Sequence, residues 1–249
     1  MNTIRREKML ETIKKNNVVT IKELQDMFPD VSLMTIHRDL DVLEQQGVIS
    51  KHRGGVKSVH QIGDIEFNVR LQSNNSGKLI MAKKALELIK PHTSIFLDAG
   101  TSTLFLAKQL PDIHLNIVTT SPGIALELCR LHKSTITLCG GTLNRNNQAI
   151  FGNSALEMLN YINIDTAFIG VSGCSLDAGF TCGAEGDMMV KKTIIKKARK
   201  SVVMCAEEKL KTLMPFTFAT MNDIDCIISD AELPDEYQQA AKNSGVVLF

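Results

Sequence analysis

The chain has 249 residues, 44% hydrophobic and 22% charged, a globular balance that excludes wholesale disorder and supplies a core without disulfide or metal staples. Its net charge of +1 divides into +2 over residues 1–57 and −1 over residues 58–249, so any nucleic-acid partner must be argued from where basic residues cluster. The longest stretch free of Asp, Glu, Lys and Arg, Ile113–Leu126, is 14 residues, short of the roughly 20 that a membrane-spanning helix needs. Residues 1–8 lack the apolar core of an export signal. A cytoplasmic protein with no membrane partner is expected. The six cysteines contain no Cys-x-x-Cys pair and the six histidines are scattered, so neither a metal centre nor a cofactor is expected.

Residues 1–57 read as three short helices and a hairpin. Met9 and Ile13, four apart, form an apolar stripe over Arg5–Asn16. Thr20-Ile21-Lys22-Glu23 is a capping box that starts a second helix lined by Ile21, Leu24 and Phe28. Pro29 stops that helix. Ser32 is a good N-cap for a third, Leu33–Gln46, with Ile36, Leu40 and Leu43 on one face and Gly47 just past its end. Residues 48–56, with Gly54-Gly55 at the tip, read as a hairpin.

Two helices joined by a tight turn, a third behind them and a basic hairpin make a winged helix-turn-helix. If the third helix buries Ile36, Leu40 and Leu43, its start presents Ser32, Met34, Thr35, His37 and Arg38 outward. Those groups suit base edges and phosphates. Thr20, at the head of the second helix, and Lys51, His52 and Arg53 on the wing complete the expected DNA-binding set, with Arg5 and Arg6 extending the footprint.

Ser58–Ser76 is polar and reads as a linker, with room for one short helix pairing Glu66 and Arg70. From residue 77 to 249 the texture changes to alternating helices and short apolar strands. Strands are expected at Ser94–Asp98, Leu115–Thr119, Thr135–Cys139, Thr166–Gly170, Ser201–Cys205, Cys226–Ser229 and Gly245–Phe249. Helices are expected at Lys78–Lys90, Thr103–Leu110, Gly123–Leu131, Asn153–Asn160, Asp187–Lys200 and Pro234–Asn243. That alternation predicts an α/β domain with a largely parallel sheet.

In this second domain Ile95–Asp98 runs into Ala99-Gly100-Thr101-Ser102-Thr103, an apolar strand followed by a Gly/Thr/Ser loop that opens a helix. Backbone N–H groups and hydroxyls there suit a phosphate. Asp98 would repel it, and is read as accepting from loop N–H groups or a sugar hydroxyl. Thr119 and Thr120, Gly140 and Gly141, and the Gly170–Gly173 loop follow later strands, where ligands settle in open α/β sheets. Gly179–Glu185 reads as a further Gly-rich turn carrying a carboxylate, and Lys191–Lys200 as a solvated helix face.

Arg5-x3-Met9-x3-Ile13, Ser32 to Leu40, Gly47-Val48-Ile49 and Arg53 to Val56 together resemble the N-terminal signature of DeoR-type bacterial transcription regulators. Two features depart from that signature: the turn at Phe28–Val31 is one residue longer, and His37 stands where Arg is more common. Lys78, the Asp98–Thr103 loop, Thr119-Thr120-Ser121, Gly140 to Leu143, Asp165-x-x-Phe168-x-Gly170, Glu185 and Lys209 are similar to the sensor domain of the same family, in the same order. Ala206 departs from it, replacing the usual Asp three residues before Lys209.

The resemblance implies a sensor fold similar to ribose-5-phosphate isomerase, a phosphorylated sugar or related metabolite as effector, and control of a carbohydrate-catabolism operon by repression. It adds Glu185 and Lys209 to Asp98, Gly100, Thr101, Ser102, Thr103, Thr119, Thr120, Gly140 and Gly141 as expected effector-binding residues. The expected partners are operator DNA, the effector, and further copies of the chain in a dimer or tetramer. The alternative is a phosphosugar isomerase-like enzyme carrying a winged helix, for which Glu185 and Asp177 are the available bases.

Overall fold

The computed structural model describes residues 2–16, 18–45, 48–52, 54–58 and 67–249. The chain divides into two compact units, Met1–Gln61 and Ile62–Phe249.

The first unit contains α1 (Asn2–Asn16), β1 (Val18–Thr20), α2 (Ile21–Met27), α3 (Leu33–Gln45), β2 (Ile49–His52) and β3 (Gly55–Ser58). Met9, Ile13, Leu24, Ile36, Leu40, Leu43, Ile49 and Val56 form its core, so the periodicity read from the sequence does bury the expected faces. The capping box is present: Glu23 N–H donates to Thr20 Oγ1 at 3.2 Å and Thr20 N–H to Glu23 Oε2 at 2.7 Å. The hairpin is joined by a third strand, since β1 pairs antiparallel with β3. Gly54, at φ +96°, takes the left-handed turn conformation that glycine favours. Gln46, Gly47 and Arg53 lie outside the described residues, as does Glu66, the expected partner of Arg70.

The second unit runs α4 (Phe67–Gln72), α5 (Asn75–Leu86), β4 (Thr93–Leu97), α6 (Thr101–Gln109), β5 (Leu115–Thr119), α7 (Pro122–Leu128), β6 (Thr135–Leu138), β7 (Thr142–Leu143), β8 (Ile150–Phe151), α8 (Asn153–Asn160) and β9 (Ile164–Gly170). It continues through β10 (Gly173–Ser175), β11 (Gly179–Cys182), α9 (Glu185–Lys197), β12 (Ala198–Met204), β13 (Phe216–Ala219), β14 (Cys226–Ile228), α10 (Asp235–Asn243) and β15 (Val247–Leu248). The seven-stranded sheet has the order β15-β14-β12-β9-β4-β5-β6, and every pair in it is parallel. These are the seven strands expected from the apolar runs.

Both faces of the sheet are covered, which is why its strands read as near-continuous apolar runs. Ile95, Leu97, Phe168, Val202 and Met204 point into one cluster. Phe96, Ala167, Ile169 and Val203 point into the other, following the two-residue alternation of a strand. From β4 the chain builds outward through β5 and β6, then returns to place β9 on the other side of β4. The strand order therefore reverses between β4 and β9, the position where open α/β sheets leave a crevice at the strand C-termini.

Three expectations are corrected. Residues 67–76, expected as linker with room for one short helix, form a short helix, α4, and the start of α5, and Phe67 is buried in the second unit's core, so this stretch belongs to the second unit and is no linker. Gly179–Cys182 is not a turn but the strand β11, central to an antiparallel sheet β10-β11-β13 whose Phe180 and Phe218 are buried. The helix expected to run to Lys200 ends at Lys197, and Ala198–Lys200 belong to β12 beside β9.

Candidate functional site

The loops that follow β4, β9 and β12 line a cleft at the strand-order reversal, and the α4–α5 turn, α9 and Asn147 of the β7–β8 loop complete its lining. From β4 come Asp98 and the Gly100-Thr101-Ser102 loop; from β9, Gly170–Ser172; from β12, Ala206, Glu208 and Lys209. Arg70, Ser73, Asn74 and Lys78 line the α4–α5 side, and Asp187 and Lys191 come from α9.

The Gly100-Thr101-Ser102 loop is the N-terminus of α6, and no side chain caps it. The first N–H groups of a helix have no acceptor within it and carry the positive end of its dipole. Gly100 has extended backbone (φ −151°), so conformation does not demand glycine there; a Cβ at this position would lie 3.3 Å from Thr103 Oγ1. Thr103 lies beneath the turn, with its hydroxyl donating to the carbonyls of Asp98 at 2.6 Å and Gly100 at 2.9 Å.

Asp98 is fully buried. Its Oδ2 accepts from Gly170 N–H at 3.0 Å and from Lys191 Nζ, whereas its Oδ1 is buried without a hydrogen-bond partner. Lys191 Nζ also donates to Gly170 O at 3.0 Å and sits 3.6 Å from Asp187 Oδ2. Burial opposes its charge, but Asp187 and Asp98 outweigh that and hold Lys191 firmly protonated. Lys191 is therefore not on a solvated face. It stands one turn beyond Asp187 on α9 (i, i+4), so both reach the cleft floor.

Lys78 is the second buried cation. Its Nζ donates to the carbonyls of Arg70 and Ser73 and lies 5.6 Å from the centre of the Phe105 ring. Burial pulls its pKa down to about 8; Glu208 opposes the fall, and Lys209 and Arg70 add to it. Lys209 Nζ is 3.1 Å from Glu208 Oε1.

Of the expected effector residues, Asp98, Gly100, Thr101, Ser102 and Lys209 line one cleft. Thr103 and Thr119 instead bond within the scaffold, Thr119 Oγ1 donating to Leu97 O at 2.7 Å and accepting from Ser121 N–H at 3.1 Å. Thr120 is buried beside them, with its carbonyl accepting from Ile150 N–H. Gly140 and Gly141 precede β7, and Glu185 begins α9; none of the three lines the cleft. Arg70, Asn74, Lys78, Asp187 and Lys191 line it although the loops alone do not point to them. The spacing of Asp187 and Lys191 is the available signal, because i, i+4 places a carboxylate and an amine on one helical face.

In the first unit, Thr35 N–H donates to Ser32 Oγ at 3.3 Å, so Ser32 caps α3, and the Ser32 and Thr35 hydroxyls lie 2.9 Å apart. Met34 is 65% exposed, Arg38 is exposed, and Thr35 and His37 are half-buried. The expected reading residues thus stand at one helix end, with Ile36, Leu40 and Leu43 beneath. Three of the basic groups have acidic partners within the unit. Arg5 Nε bonds Asp39 Oδ2 at 2.6 Å and Arg6 Nε lies 3.2 Å from Asp39 Oδ1, tying α1 to α3. Lys51 Nζ pairs with Asp41 and lies 3.6 Å from Glu44. His52 is exposed on the wing, and Thr20 is engaged in its capping box.

A winged helix-turn-helix and an α/β unit with a cation-bearing cleft, carried on one chain, define a two-domain regulator. The DeoR-like helix-turn-helix domain matches residues 5–62 and the DeoR C-terminal sensor domain residues 73–231. The chain belongs to the DeoR family of DNA-binding transcriptional regulators. It is 34% identical to the HTH-type transcriptional regulator YgbI of Escherichia coli, over 95% of this chain and 92% of that one. It is 31% identical to the HTH-type transcriptional repressor GlcR of Bacillus subtilis, over 92% and 88%. Among solved structures, ribose 5-phosphate isomerase A of Methanocaldococcus jannaschii aligns over 55% of each chain at 20% identity, with a TM-score of 0.42. Among the described residues, no helix is long and apolar enough to cross a membrane.

Proposed function

We propose that this regulator represses a carbohydrate-catabolism operon and that a phosphorylated sugar, bound in the cleft of the second unit, controls its hold on operator DNA. The observation that carries the reading is the uncapped N-terminus of α6 facing a cleft that also holds Lys78 and Lys209. Helix N–H groups, hydroxyls and ammonium groups are what a phosphoryl group requires. The unpartnered Oδ1 of Asp98 would accept a hydrogen bond from a sugar hydroxyl in the same cleft. Ser32, Met34, Thr35, His37 and Arg38 would read base edges, with His52 and Arg53 on flanking phosphates. The repressor would act in the cytoplasm as a dimer or tetramer, since two-fold operators are read by paired helices. The match to GlcR supports repression.

The isomerase reading is not favoured. The expected base Glu185 does not line the cleft, and the carboxylates that do are engaged: Asp98 and Asp187 with Lys191, and Glu208 with Lys209. A thermal-shift panel tests the proposal. Sugar phosphates should raise the melting temperature and the parent sugars should not. Equal effects of both, or turnover of aldose into ketose phosphate, would refute it.

A further inference from the structure

One carboxylate outside the cleft joins its two cationic walls. Asp230 follows β14 and does not line the cleft. Its Oδ2 accepts from the side-chain amide of Asn74 at 2.8 Å, and its Oδ1 accepts from Glu207 N–H at 2.8 Å. Asn74 is the N-cap of α5: its own Oδ1 accepts from Gly77 N–H at 3.2 Å, and its carbonyl accepts from Lys78 N–H at 3.1 Å. Glu207 opens the short helical turn Glu207–Lys209. A single side chain thus holds the cap of the helix that carries Lys78 and the first N–H of the turn that carries Lys209.

Two independent features of the backbone fit this brace. Asn74 has φ +44°, in the left-handed region that Asn tolerates better than most residues. Gly77 has no room for a side chain, since a Cβ there would lie 2.2 Å from Asp230 Oδ2 and 2.5 Å from Asn74 Oδ1. The missing side chain at Gly77 makes space for the Asp230–Asn74 contact.

We infer that Asp230 is a positioning residue for anion capture: it sets the spacing of Lys78 and Lys209 across the cleft without touching the ligand. This rests on the phosphate reading above. Neither lysine fixes that spacing through a direct bond to the other, because Lys78 Nζ is held by α4–α5 carbonyls and Lys209 Nζ by Glu208. The Asp230 carboxylate links their two backbone segments at this end of the cleft, and a carboxylate, accepting on both oxygens, suits two donors.

The chemistry supplies a rescue. In Asp230→Asn one of the two contacts becomes donor against donor, and flipping the Asn74 amide only moves the conflict to Gly77 N–H. In Asn74→Asp two carboxylates face each other. The exchange Asn74→Asp with Asp230→Asn restores every pairing. The carboxylate then at position 74 would accept from Gly77 N–H and from the amide at position 230, whose oxygen would accept from Glu207 N–H.

The experiment measures the affinity of the full chain for inorganic phosphate by calorimetry, with melting temperature without phosphate as the control for folding. Each single variant should bind about tenfold more weakly, the scale of one lost charge-assisted hydrogen bond, and the exchange should recover part of that loss, short of the natural chain because it leaves a carboxylate at cleft-lining position 74. Gly77→Ala, which forces the brace apart without changing charge, should weaken phosphate binding and gain nothing from the exchange. Asp230→Asn binding phosphate as the natural chain does would overturn the inference. So would an exchange variant that melts normally yet binds no better than the singles, and this second arm decides the matter if a single variant fails to fold. Absence of phosphate binding by the natural chain would overturn the phosphate reading itself, a result distinct from either.

Discussion

Lys191 Nζ and Asp98 Oδ2 form an ion pair between α9 and the β4–α6 turn, with side chains 4% and 0% exposed, respectively. The pair joins residues 93 apart in sequence and locks the cleft floor. Replacing one partner strands a buried charge, which costs about 3–5 kcal/mol. Lys191→Met should lower unfolding free energy by that amount in urea denaturation, and Lys191→Met with Asp98→Asn should recover part of it. A loss below about 1 kcal/mol in the single variant would mean that the pair is solvated.

Lys78 gives the cleft a pH dependence whose sign is fixed. With its pKa pulled down to about 8 by burial, Lys78 is an ammonium below that pH and a neutral amine above it. Affinity for a phosphoryl group, whose own second pKa is about 6, should be level from about pH 7 to about pH 8 and fall above it, with proton uptake on binding visible as buffer-dependent heat. Lys78→Arg keeps the charge and should remove the decline. Folding shows the opposite trend. The unfolded chain holds this proton up to its ordinary pKa near about 10.4, so above about pH 8 it binds more protons than the fold, and Lys78 contributes rising stability through that window. An affinity that is flat from about pH 7 to about 9.5, a span that crosses both protonation states, would contradict this assignment.

The two helix-turn-helix basic groups should behave differently. Arg38 is exposed at the reading end of α3, and Arg38→Ala should cost about 1–3 kcal/mol of operator binding and relax sequence preference. Lys51 is already paired with Asp41 and Glu44. Lys51→Ala should leave the salt dependence of binding unchanged, whereas loss of a phosphate contact would reduce its slope by about one. Anisotropy titrations at several salt concentrations separate the two outcomes.

Thr101 opens α6 and is 5% exposed at the cleft. Thr101→Val preserves shape and removes a hydroxyl, so it should leave the unliganded melting temperature nearly unchanged while reducing protection by sugar phosphates. Equal protection of both proteins would exclude the Thr101 hydroxyl from the site.

Local rules make much of this molecule legible. The seven parallel strands, the three-helix core and the capping box at Thr20 each depend on short-range patterns of apolar spacing and side-chain caps. The Asp98–Ser102 loop is readable because strand, bare turn and helix follow one another in sequence. Lys191 is not, because ten residues rich in Lys read as a solvated face until α9 is seen to bring it against Asp98, with Asp187 one turn back. Arg70 and Asn74 are not legible as cleft residues because a polar stretch reads as a linker, until the burial of Phe67 and the hold of Lys78 on the Arg70 and Ser73 carbonyls bring α4 to the cleft wall. Thr103 and Thr119 mark the opposite error: a hydroxyl after a strand serves a loop carbonyl as readily as a ligand.

The most direct test of effector control is operator occupancy by the full chain, read by anisotropy on an operator fragment that it retains specifically, while glucose 6-phosphate, fructose 6-phosphate and ribose 5-phosphate are added in turn. At least one of them should shift the apparent Kd several-fold, and the shift should be lost in Thr101→Val. Occupancy unmoved by every phosphorylated sugar, or moved equally in the variant, would contradict effector control through this cleft.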